Sequence, residues 1–204
     1  MIIDEHKVIF VHIPKNAGTS IKKLLLEEKE FKNRKSFWKH ETIYDIKKDN
    51  INAYNNYKKF AIVRDPYSRM VSWYSYMGGY LANNDLLNTY QWNGKDYEIV
   101  ETEKPNINGF KAFVKDPFDQ YPHLKFKNLL EPQFKWVDET VTILKYENIE
   151  EELKEFFGEK IDLQIINKTI HDDFSVYYDK ESLDIVYNRY REDFKRFNYD
   201  NRKI

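Results

Sequence analysis

The sequence predicts an α/β fold of three layers, a central parallel sheet flanked by helices. Two observations carry this. Apolar runs rich in β-branched residues recur as VIFVHI (8–13), FAIV (60–63) and TVTILKY (140–146). Such runs suit strands buried on both faces of a parallel sheet. Each is followed by a segment with helical spacing, and strand–helix alternation is the mark of layered α/β units.

In chain order, the run 8–13 is a first core strand. TSIKKLLLEE (19–28) follows, with Ile21, Leu24 and Leu25 at helical spacing. The second strand ends in the polar turn RDP, and YSRMVSWYSYM (67–77) reads as its helix. The third strand leads into IEEELKEFF (149–157), with Gly158 placed to cap that helix. Residues 78–109 interrupt the pattern. They are turn-rich and mixed, as expected of a lid, a small hairpin or a substrate-facing insertion. From Lys180 to Phe197, apolar residues at helical spacing predict one closing helix. No repeat or flexible linker divides residues 1–204, so a single domain is expected.

Composition narrows the function. Hydrophobic residues make up 41% and charged residues 33%, which is globular and not disordered. A net charge of −1 argues against nucleic acid as the main partner. With no cysteine, disulfides, zinc–thiolate sites and thiol nucleophiles are excluded. No run approaches the roughly 18 apolar residues of a membrane span. No cleavable apolar leader precedes the first strand, so no membrane insertion and a cytoplasmic location are expected.

The segment PKNAGTS (14–20) carries the chemistry. A strand hands over to a turn and a helix, and the amides of Asn16, Ala17, Gly18, Thr19 and Ser20 can face an anion at the helix start. In nucleotide-hydrolysing loops the lysine follows the second glycine, and a Ser or Thr after it binds Mg²⁺. Here Lys15 stands three residues before Gly18. That placement favours a P-loop-like anion site without a metal.

HIPKNAGTS together with FAIVRDPYSRMVSWY (60–74) resembles the sulfotransferases that use 3′-phosphoadenosine 5′-phosphosulfate (PAPS), closest to the carbohydrate O-sulfotransferase branch (heparan/chondroitin sulfotransferase-like). EPQ (131–133), LKYENI (144–149) and the last helix extend the likeness over most of the chain. The resemblance implies a 5′-phosphosulfate loop at Lys15–Ser20. It implies a 3′-phosphate motif at Arg64 and Ser72, eight residues apart. It implies PAPS as donor, PAP as product, no metal, and a saccharide or other hydroxyl acceptor. Forked guanidinium donors suit a phosphate. Lys15 would stabilise the transferring group by positioned charge. Asp65 is expected to orient its loop, and Arg69 to form an ion pair rather than bind a second phosphate oxygen.

A base must take the acceptor's proton, and histidine suits neutral pH. His6 lies near the N-terminus, His12 reads as a core residue, and His123 and His171 as loop residues. His40 stands just before a short helix with Glu41 and Thr42 in its first turn; the resemblance implies that it is the base, the other reading being a capping or packing role. Glu41 is the reserve. Trp73, Tyr74 and Trp92 are candidates for stacking on sugar faces, with Trp73 read as core. Where the family often carries a histidine or aromatic ahead of PQ, this chain has NLLEPQ (128–133), which leaves acceptor recognition open. The rivals are a metal-dependent nucleotide kinase or hydrolase and a non-catalytic PAP- or polyanion-binding module.

Overall fold

The computed structural model describes residues 1–26, 40–80, 89–92, 97–100, 107–116, 127–158, 163 and 176–202. Within them, chain order runs β1 (Ile2–Ile3), β2 (Val8–Val11), α1 (Gly18–Leu25), α2 (Ile43–Asp49), α3 (Ile51–Asn56), β3 (Lys58–Val63), α4 (Pro66–Tyr80), β4 (Thr89–Trp92), β5 (Tyr97–Val100), α5 (Ile107–Lys115), β6 (Thr142–Lys145), α6 (Ile149–Phe157), α7 (Lys180–Arg189) and α8 (Arg191–Arg196).

The sheet has the order β1-β2-β3-β6. β2, β3 and β6 are parallel, and β1 adds an antiparallel edge. Side chains alternate between faces along a strand. Phe10, Phe60, Ile62 and Leu144 therefore share one face with Ile21 and Leu25 of α1 and Ile149 and Leu153 of α6. Ile9, Val11, Ala61 and Val63 share the other with Ile43 and Ile46 of α2 and Ala53 and Tyr54 of α3. A third, aromatic core joins α4, α5, α7 and α8 through residues such as Tyr67, Tyr74, Phe110 and Phe194. No helix among the described residues is long and apolar enough to cross a membrane.

The expected elements are present, with shifted ends. The first strand stops at Val11, because the backbone leaves the ladder ahead of Pro14, which has no N–H to give. Gly158 caps α6 as expected, at φ 75°, its N–H donating to the Lys154 carbonyl at 2.9 Å. The single closing helix is corrected to two. The chain bends at Tyr190, whose hydroxyl is drawn inward to donate to the Leu130 carbonyl at 2.8 Å. Within 78–109, β4 and β5 form an antiparallel pair. The rest of that segment beyond α4 and before α5 lies outside the described residues.

Candidate functional site

The loop between β2 and α1 has an unusual backbone. Lys15 and Ala17 adopt left-handed φ values of 70° and 58°, though neither is glycine. Each such residue costs of order 1–3 kcal/mol, and such strain collects at functional sites. Left-handed residues alternating with ordinary ones are the backbone pattern from which anion nests are built, and Lys15 and Ala17 flank Asn16 in that alternation. α1 then begins without a side-chain cap, and the first amide to bond back is Ile21, to the Ala17 carbonyl at 3.1 Å. The first-turn amides of Gly18, Thr19 and Ser20 have no acceptor within the helix.

Asn16 contributes differently. Its fully buried side-chain amide donates to the Ile62 carbonyl and to Gln133 Oε1, each at 2.7 Å. Only its main-chain N–H remains for an anion. Gln133 also accepts from the Arg64 N–H at 2.9 Å and donates to the Arg64 carbonyl at 2.8 Å. One glutamine thus ties the β2–α1 loop to the β3–α4 loop.

In the second loop Asp65 caps α4, accepting from the N–H groups of Tyr67 (2.7 Å) and Ser68 (3.2 Å). Its ionic partner is Arg202, at 2.5 Å, from the C-terminal segment. Tyr67 donates to Asn201 of the same segment at 2.7 Å. Arg64 stacks on Tyr146, 4.3 Å from the ring centroid, and its Nε is buried with no partner. Ser72 is buried on α4, and no hydrogen bond joins it to Arg64. The ion pair expected of Arg69 is corrected. Its fully buried guanidinium donates to three main-chain carbonyls, Pro14 (3.2 Å), Glu131 (3.2 Å) and Leu129 (3.0 Å). A forked donor that joins the β2–α1 loop to the 129–131 segment is spent on structure, not on a ligand.

Lys15 projects toward α4, its ammonium 4.0 Å from the Tyr76 ring centroid and 5.9 Å from Trp73. Burial, and then the neighbouring Arg64 charge, pull its pKa down to about 7. Burial also lowers that of Arg64. No described carboxylate forms an ion pair with either. Two desolvated like charges destabilise each other, and a bound anion removes that cost.

His40 lies against His12, the residue that follows β2. Its Nδ1 lies 3.2 Å from the His12 carbonyl, so Nδ1–H donates there and the lone pair is left on Nε2. Burial lowers its pKa, favouring the neutral ring. Behind it Thr42, not Glu41, starts α2, through a reciprocal cap with Asp45. His12 is buried as expected, yet it is no ordinary core residue. Its ring packs 4.3 Å from that of His40 and lies directly over Gly18. A Cβ on Gly18 would stand 1.7 Å from His12 Nε2. Glycine is needed there because an imidazole occupies the space.

Gly18→Ala must therefore displace His12 and the His40 ring stacked on it. Turnover should fall roughly 10²-fold, with about 1–3 kcal/mol of stability lost to overpacking. His12→Ala in that background should restore the melting temperature. Normal turnover by Gly18→Ala would disprove the coupling.

The sequence does not single out Gln133 or Tyr146 as site residues, nor buried Lys22, whose pKa burial pushes down to about 8. Gln133 lay within EPQ and Tyr146 within LKYENI, but nothing in either motif gives a side chain's direction. Trp73 and Tyr74 are buried in the aromatic core. His123, His171 and the Trp92 side chain lie outside the described residues. Among the described residues no group of three or more His, Asp or Glu is arranged to hold a metal ion. A family model described as the sulfotransferase family matches residues 1–133. No curated protein and no solved structure matches the chain.

Proposed function

The chain belongs to the sulfotransferase family, and from that premise we propose that it moves a sulfuryl group from PAPS to a hydroxyl of a saccharide acceptor, on a P-loop-like frame. One observation carries the reading. Two strand–loop–helix units, each with a desolvated cation lacking a described carboxylate partner, are tied together by Gln133. PAPS has two separated anionic groups that match such a pair.

In this reading the loop amides and Lys15 hold the phosphosulfate, and Arg64 and Ser72 hold the 3′-phosphate. The acceptor oxygen forms a bond to sulfur as the bond from sulfur to the phosphate oxygen breaks. PAP leaves with the electron pair of that bond, and Lys15 stabilises the charge developing there. His40 Nε2 takes the acceptor's proton. The family's preference for an aromatic or histidine ahead of PQ is not met here, so the saccharide rests on the resemblance of the motifs.

The test is a thermal melt. A hundredfold excess of PAP over its Kd should raise the melting temperature by about 5–10 °C, in EDTA as in Mg²⁺. ATP, lacking the 3′-phosphate, should stabilise less. Stabilisation that requires Mg²⁺, or that ATP equals, would return the reading to a nucleotide kinase or hydrolase. PAP binding with no transfer from labelled PAPS across a glycan panel would favour a non-catalytic module.

A further inference from the structure

Arg64 is held from two directions. Its main chain is clamped by Gln133, and its guanidinium lies on the face of Tyr146. The sheet itself makes that stack. β3 and β6 run parallel with Val63 opposite Lys145, so the next residues, Arg64 and Tyr146, emerge side by side. A ring face attracts a guanidinium without using any of its N–H donors. Those donors are nearly unspent: Nη1 makes one long contact to the Lys15 carbonyl at 3.4 Å, and Nε has no partner.

The nearest acids are committed elsewhere. Glu147 accepts from the Asp65 N–H and from the Tyr199 hydroxyl, each at 2.9 Å. Asp65 is taken up by the α4 cap and Arg202. An aromatic support therefore orients this cation where a carboxylate would have neutralised it.

We propose that Tyr146 is the positioning residue that gives the site its preference for 3′-phosphorylated nucleotides, by fixing the plane of Arg64. This rests on the reading of Arg64 as the 3′-phosphate ligand. Tyr146 touches no substrate in this account. It acts only through the guanidinium.

The test compares Kd for PAP and for 5′-AMP by calorimetry in the wild type, Tyr146→Phe, Tyr146→Leu, Tyr146→Gln and Arg64→Ala. The wild type should prefer PAP. Tyr146→Leu and Tyr146→Gln should weaken PAP about tenfold and leave AMP unchanged, while Tyr146→Phe retains the preference. A merely structural role would weaken both nucleotides together. Having both the Leu and Gln variants guards against one that does not fold. If Arg64→Ala loses the preference but Tyr146→Leu and Tyr146→Gln keep it, or weaken both nucleotides equally, the inference is overturned alone. If the wild type shows no preference, or Arg64→Ala keeps it, the reading of Arg64 falls and the inference falls with it.

Discussion

Lys15→Ala is expected to cut turnover roughly 10²–10³-fold while weakening PAP binding much less. On the proposed reading the loss falls on turnover, because the charge Lys15 would answer grows on the leaving oxygen as the sulfur bond breaks. The loop holds the residue at φ 70°, and the Tyr76 and Trp73 rings strip it of water. Its pH signature follows from the depressed pKa of about 7. Below that value Lys15 is already charged and adds no pH dependence of its own to PAP binding. A bound anion raises the pKa, so above about pH 7 binding takes up a proton and should weaken, by no more in total than Lys15→Ala itself costs. Lys15→Ala should remove that slope. A variant that only raises KM for PAPS and keeps kcat would show that Lys15 binds the ground state and no more.

The second large effect is on the acceptor side. His40→Ala should lower turnover by roughly 10²-fold or more, with PAP affinity and melting temperature almost unchanged. The proton on Nδ1, held by the His12 carbonyl, leaves Nε2 as the basic nitrogen. Burial depresses the pKa below the ordinary 6.5. A general base works in its neutral form, so on the proposed reading wild-type kcat should fall as pH drops through a value below 6.5, and this acid limb should vanish in the variant. A packing residue would behave otherwise: stability would drop and activity would track the folded fraction. A well-folded His40→Ala protein with near-normal turnover would shift the search to Glu41.

What the sequence made legible was local. Strand runs, the capping glycine at 158 and the two loops all lie within short windows, where periodicity and turn chemistry speak directly. The hidden features depend on distance. Gln133 reaches Asn16 across 117 residues and Arg64 across 69. No window contains such a clamp. The reason for Gly18 was hidden too, since a glycine in a phosphate-type turn suggests backbone approach to a ligand. The structure gives the imidazole of His12, just past the end of β2, as the occupant. Arg69 misled for the same reason: its carbonyl partners leave no trace in side-chain identity. The closing helix broke because burying the Tyr190 ring and turning Asp193 in to accept from the Gln133 and Phe134 N–H groups, at 2.8 and 2.9 Å, outweighed unbroken helical spacing.

The pairing of Asp65 with Arg202 has a consequence for the chain as it emerges from the ribosome. The two residues are 137 positions apart. At about 5–20 residues per second, roughly 7–27 s separate their synthesis. Through that interval the Asp65 carboxylate, bound for the interior, has no Arg202 to meet it, and Gln133 and Tyr146 arrive only partway through. The β2–α1 and β3–α4 loops thus exist in the nascent chain with only their own contacts, such as Asn16 to the Ile62 carbonyl and Arg69 to the Pro14 carbonyl, before the Gln133 clamp and the Arg202 pair are added. A product of translation stalled before residue 202 would carry the α4 cap with its Asp65 carboxylate still lacking the Arg202 partner, so the β3–α4 loop would be held less firmly than in a chain that includes that segment.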